Sequence, residues 1–182
     1  VSIVCTSRRQ VLLGLSGVAM YSVLPSKAHA SRSTKGIRQL SFYNRHTGEQ
    51  SQGRYWVDGD YQHKTLTEFS HVLRDHRRNE SAPMDKRLYD FLFNLQQSVN
   101  FDEEFHVISG YRSPKTNAML AAKSNGVAKK SYHMKGMAMD IAVPGVDLKT
   151  LREAAIELKL GGVGYYPRSG FIHVDTGPVR TW

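Results

Sequence analysis

The sequence predicts an α+β fold organised as one main domain. Three observations lead there. The chain has 182 residues, which suits one domain of about 100–200 residues. Hydrophobic residues make up 40% of it, enough to build a core without covalent staples. Segments of period two and segments of helical period are mixed without regular strand–helix–strand alternation, which argues against a parallel α/β sheet. No internal repeat is present.

Residues 1–30 read as an export signal. Arg8 and Arg9 form a positive start, Val11 to Leu24 is mostly apolar, and Ala28-His29-Ala30 is a small-x-small cleavage site. The apolar stretch is shorter than the ~20 residues of a comfortable membrane span, so stable membrane insertion is not expected after cleavage. The string SRRQVLLG resembles a twin-arginine signal; a general secretory signal that carries two arginines is the other reading. Cleavage after Ala30 leaves residues 31–182 as the functional domain. It also removes Cys5, the only cysteine. Any metal in the mature chain must then be held by His, Asp or Glu.

The mature chain opens with a small polar leader at 31–36. Arg38 to Asn44 (RQLSFYN) and Arg54 to Val57 (RYWV) read as a hairpin with turn chemistry at Thr47-Gly48, and Asp58-Gly59 follows. Leu66, Phe69, Val72 and Leu73 form the stripe of a helix over Thr65 to Arg77. Leu88, Leu92, Leu95 and Val99 do the same over Asp85 to Val99, with Pro83 near its start. His71 and Asp75 lie four apart on the first of these helices; the pair reads as a solvated face rather than a metal site. Phe105 to Ser109 is a strand, Pro114 to Ala122 a helix, and Ser124-Asn125-Gly126 a polar loop. Met137 to Val143 is a strand, and Val146 to Leu158 a helix ended by Gly161-Gly162. Gly164 to Tyr166 and Phe171 to Asp175 are the last strands.

The formal charge of +9 suggests an anionic partner. The charges are interspersed, and no zinc-finger, recognition-helix or RNP-like pattern supports nucleic acid. Anionic lipid and carboxylate-rich cell-wall polymer are the other candidates.

Two short strings concentrate chemistry. In SYHMKGMAMDIAV, Met137, Met139, Ile141 and Val143 alternate with Ala138, Asp140 and Ala142. Asp140 therefore lies on the face opposite the apolar one. His133 precedes this strand, and Gly136 lets the chain turn between them. In FIHVD, His173 and Asp175 share a face, about 7 Å apart along the strand. Two His and one Asp suit a catalytic metal that keeps a fourth position open. Periodicity does not choose between that role and ordinary polar residues, because such sets assemble from distant segments.

SYHMKGMAMD fits the SxHxxGxAxD pattern of the D-alanyl-D-alanine metallopeptidase group. With SGYRSPKTN at 109–117 and the C-terminal FIHVDTGPVRTW, the chain resembles the YcbK-like murein endopeptidases of peptidase family M15. The resemblance implies a hedgehog/D-Ala-D-Ala-peptidase-like fold, a small antiparallel sheet with flanking helices. It implies Zn2+ held by His133, Asp140 and His173. It also implies a periplasmic enzyme that hydrolyses peptidoglycan cross-bridge peptides at diaminopimelate–diaminopimelate (L,D) bonds. Relatives in the wider group take D,D bonds or trim terminal D-alanine, and a wall-binding protein without catalysis is the remaining alternative.

Further roles complete this expectation. Asp175 is read as the base that takes a proton from water, or as the acceptor that steadies a ligand imidazole; the wider group often places its acid before the last ligand, not after it. Arg112 is read as the fork for a substrate carboxylate, or as a structural arginine paired with a neighbouring acid. Ser131 lies beside His133 and either meets substrate or only shapes the loop. Tyr165 or its neighbour Tyr166 is a donor to the oxyanion, or core packing. Lys129 and Lys130 lean on the anionic polymer or form a solvated face. His46, His63, His71, His76 and His106 have no spacing that demands a metal.

Overall fold

A computed structural model describes residues 36–124 and 126–182. The export signal expected at 1–30 lies outside them. Strands β1 (Ile37–Asn44) and β2 (Gln50–Val57) form the expected hairpin. The Asn44 side chain closes its turn by accepting from the backbone N–H groups of His46 (2.9 Å) and Thr47 (3.3 Å). Strand β2 starts at Gln50 rather than Arg54, because pairing with β1 carries polar residues into the ladder. Asp58-Gly59 then turns the chain into β3 (Asp60–Tyr61).

Helix α1 (His63–Val72) stops short of the predicted Arg77. The chain beyond it is drawn inward by Asp75, which is 3% exposed. Asp75 accepts from the backbone N–H and the hydroxyl of Ser113 at 3.0 and 2.6 Å. His71 is exposed beside Glu49, so the two do not share a helix face. Helix α2 (Lys86–Val99) is capped by Asp85, which accepts from Arg87 N–H, and it buries Leu88, Phe91, Leu92 and Leu95. Buried Asp90 on α2 takes bonds from Arg38 (2.6 Å), Tyr55 (3.0 Å) and Tyr61 (2.6 Å), fastening the helix to the first three strands.

The remaining elements are β4 (Phe105–Ser109), α3 (Pro114–Lys123), a 3₁₀ turn (Tyr132–Lys135), β5 (Ala138–Ala142), α4 (Leu148–Glu157), β6 (Gly162–Tyr166), β7 (Phe171–Asp175) and β8 (Arg180–Thr181). Helices α3 and α4 begin at side-chain caps, Ser113 and Asp147.

The sheet corrects the expected small antiparallel one. It has eight strands in the order β3-β2-β1-β4-β5-β7-β6-β8 and is mixed. The β1–β4 and β6–β8 pairs are parallel. Helices α1 and α2 provide the long crossover that a parallel β1–β4 pair requires, and the C-terminal segment adds to the β6 edge.

Helices α1, α2 and α4 pack on one face of the sheet. Leu40, Phe42, Met139, Ile141, Ile172 and Val174 point into that core and are buried. Phe42 meets Phe69 edge-to-face at 4.9 Å. Side chains alternate along a strand, so Asp140, His173 and Asp175 occupy the opposite face.

Candidate metal centre

Strand register lays the polar side chains out in two rows. Ser109, Asp140, His173 and Gly164 are successive partners across β4, β5, β7 and β6. Ala138, Asp175, Gly162 and Arg180 form the next row across β5, β7, β6 and β8. His133 reaches the first row from the 3₁₀ turn. Ser131 caps that turn, its hydroxyl accepting from His133 N–H at 3.3 Å. Gly136 ends it at φ 64°, and a Cβ there would also run into the Pro83 carbonyl oxygen, so glycine is required on both counts.

The three residues that the sequence singles out converge. His133 Nε2 lies 3.2 Å from His173 Nδ1 and 3.3 Å from Asp140 Oδ1, and His173 Nδ1 lies 2.9 Å from the same oxygen. All three residues are buried and could hold one metal ion. Their partners set the tautomers. His133 Nδ1 faces the Gly110 carbonyl at 2.8 Å and must donate to it, which leaves a lone pair on Nε2. His173 Nε2 faces Asp175 Oδ2 at 2.9 Å and donates there. The remaining atoms, two ring nitrogens and a carboxylate oxygen, point at one another. That arrangement calls for positive charge among them, either a proton on His173 or a cation. Metal–ligand bonds of roughly 2.0–2.1 Å at tetrahedral angles place donor atoms about 3.3 Å apart. The separations of 2.9, 3.3 and 3.2 Å fit such an ion.

The charges agree with this arrangement. Burial works against ionised Asp140, but His133 and His173 outweigh it and hold the carboxyl below the usual carboxylate range. Burial likewise opposes ionised Asp175, and bonds from His173, Arg180 and the Gly177 N–H hold it low. Burial would lower His173; a carboxylate at each ring nitrogen raises it instead.

Asp175 sits behind His173, not in front of it. It is fully buried. Its oxygens accept from Gly177 N–H (2.8 Å), Arg180 (2.7 and 3.1 Å) and His173. The base role expected for it does not match this position, since no face of the carboxylate opens to water. Tyr165 is a second correction. Alternation along β6 turns it towards the core, where it packs beneath Arg152 at 5.3 Å, while Tyr166 faces the site. Arg112 lies beside the centre, its Nη2 3.6 Å from Asp140 Oδ2. It donates to Ser109 Oγ (3.1 Å) and Asn117 Oδ1 (3.3 Å). Burial pushes the guanidinium below its ordinary value, and Asp140 opposes that.

A cleft of about 510 Å³ opens over the three converging residues, lined by Arg112, Lys130, Ser131, Tyr166, Arg180 and Trp182 among others. Arg180 and Trp182 were not singled out from the sequence. Their signal was the glycine pair Gly162 and Gly164. A Cβ at Gly162 would collide with the Arg180 guanidinium, and one at Gly164 would lie 2.7 Å from the Trp182 ring. Asp75 was missed as well. It anchors Ser113, and with it the loop that carries Arg112.

A family model described as peptidoglycan L,D-endopeptidase MepK matches residues 32–182. The chain is 45% identical over 177 residues to peptidoglycan L,D-endopeptidase MepK of Escherichia coli strain K12, covering 97% of both chains. The protein of that name in Shigella flexneri matches at the same 45% over 177 residues, again 97% of both. A probable peptidoglycan L,D-endopeptidase MepK of Haemophilus influenzae is 44% identical over 172 residues, covering 93% of this chain and 92% of its own. With these matches spanning the site as well as the sheet, the chain belongs to the peptidoglycan L,D-endopeptidase MepK family.

Proposed function

We propose that this protein is a zinc-dependent endopeptidase that hydrolyses L,D cross-links between diaminopimelate residues of peptidoglycan. The observation that carries the reading is the convergence of His133 Nε2, His173 Nδ1 and Asp140 Oδ1 beneath an open cleft. These atoms would hold the zinc. Bound there, zinc supplies Lewis acidity to a carbonyl oxygen and to water.

The chain's own groups do the rest. Asp175 orients the His173 imidazole and fixes its tautomer, with Arg180 keeping the carboxylate charged. Arg112 has five N–H donors and spends two of them on Ser109 and Asn117. The others make no hydrogen bond among the described residues, though Nη2 also lies 3.6 Å from Asp140 Oδ2, and they would fork onto a carboxylate of the cross-bridge peptide. Ser131 holds the turn that presents His133. Lys130 and Arg180 at the cleft add to the attraction for an anionic polymer.

The site of action we assign is the periplasm, reached through residues 1–30 as a signal of the twin-arginine or general secretory kind. Among the described residues no helix is long and apolar enough to cross a membrane.

The test is digestion of purified sacculi by zinc-loaded protein, with muropeptides identified by mass spectrometry. Loss of L,D-linked dimers into monomers is expected. Free D-alanine would indicate trimming, and loss of D,D-linked dimers the other bond type. No product at full metal occupancy would leave a wall-binding protein instead.

A further inference from the structure

We infer that Tyr166 is a catalytic residue whose hydroxyl donates to the scissile carbonyl oxygen, and that Trp182 positions it. The inference rests on the endopeptidase reading and adds two residues to its machinery. Tyr166 is on the site face of β6 and lines the cleft with Arg112, Asp140 and His173. Its ring stacks on its cross-strand partner Phe171, with centroids 4.7 Å apart and planes at 22°.

The hydroxyl is held from the outer side. Trp182 Nε1 donates to Tyr166 Oη at 2.8 Å. An indole N–H can only donate, so the tyrosine oxygen is the acceptor and its own proton points elsewhere. Among the described residues no hydrogen bond takes that proton. A hydroxyl that already accepts one hydrogen bond is a better donor of the next. Amide hydrolysis builds negative charge on the carbonyl oxygen, and one donor aimed at it is typically worth ~10²–10³ in kcat.

Trp182 is fixed for this task by several features at once. Its backbone pairs with β6, donating to the Val163 carbonyl at 3.3 Å and accepting from Tyr165 N–H at 3.0 Å. Its ring lies on Gly164, where any Cβ would stand 2.7 Å away. The Arg180 guanidinium is 4.8 Å from the ring, and the His173 imidazole 5.3 Å. Yet Trp182 remains 47% exposed. Packing alone does not account for an indole pinned by a hydrogen bond, a missing Cβ and a cation and still left open to solvent.

The experiment measures kcat, KM and zinc content for the wild type, Tyr166→Phe, Trp182→Phe and the double variant on an L,D-linked muropeptide dimer. Both substitutions keep an aromatic ring in place. Tyr166→Phe should lower kcat about a hundredfold with zinc content and KM nearly unchanged. Trp182→Phe should lower it by roughly fivefold, and the double variant should be no slower than Tyr166→Phe alone, because the indole acts through the hydroxyl. Full kcat in Tyr166→Phe, or losses that multiply independently in the double variant, would overturn the inference while leaving the endopeptidase intact. A wild type without turnover would overturn the endopeptidase reading, and this inference with it.

Discussion

Asp140 and His173 are direct partners across the β5–β7 ladder, and Asp140 Oδ1 lies 2.9 Å from His173 Nδ1. Cross-strand partners on one face have a fixed Cβ spacing. The ladder therefore sets the bite of two donor atoms, and His133 closes the set from its own turn. His133→Ala or Asp140→Ala should lose bound zinc and dimer cleavage together, with both at background in elemental analysis and muropeptide assay. Full activity in either variant would remove that residue from the centre.

Asp175 should behave as a support rather than as a base. Asp175→Asn removes the charge that holds His173 Nε2–H while keeping the shape. Loss of such a partner typically costs about 10–100-fold in metal affinity. Zinc titration should show that loss, and activity should recover as zinc is raised to saturation. Activity that stays lost at full occupancy would return the proton-accepting role to Asp175.

Arg112→Lys keeps a charge but loses the planar fork. Charge-assisted hydrogen bonds contribute about 1.5–3 kcal/mol, so kcat/KM should fall by roughly 10–100-fold, largely through KM. Amidating the substrate carboxylate should reproduce the loss in the wild type and add little in the variant. Steady-state kinetics on paired acid and amide substrates checks this.

Much of the site was legible because its parts are local. Met137 to Val143 and Phe171 to Asp175 alternate cleanly, so the polar face of Asp140 on its strand, and the face shared by His173 and Asp175 on theirs, could be read from the order of residues. Convergence with His133 could not, since it depends on β7 pairing with β5 and on Gly136 folding against Pro83. The parallel strands left no mark for the same reason: β4 joins β1, and β8 joins β6, through contacts between distant segments. The sequence does not separate Tyr165 from Tyr166, because alternation gives two faces and does not name the inner one. Asp75 sits within a helical pattern, and its partners, the Ser113 N–H and hydroxyl across the fold and a backbone bridge to Glu80, lie outside that pattern.

Asp75 also offers a test away from the metal. Burial opposes its charge, but bonds from Ser113 and from the Arg77 N–H outweigh burial and hold its carboxyl below the ordinary value. A folded-state pKa below the unfolded one means stabilisation that is complete above the unfolded value near ~4 and is lost as pH falls through the folded value. Asp75→Asn should therefore lower stability by about 1.5–3 kcal/mol at pH 7. The gap to the wild type should close progressively below about pH 4. Urea unfolding followed at a series of pH values measures both. A gap that stayed constant down to the acid limit would mean that shape, and not the ionised carboxylate, holds Ser113. In the wild type the same bonds tether the Arg112 loop, so Asp75→Asn should also raise KM without changing zinc content.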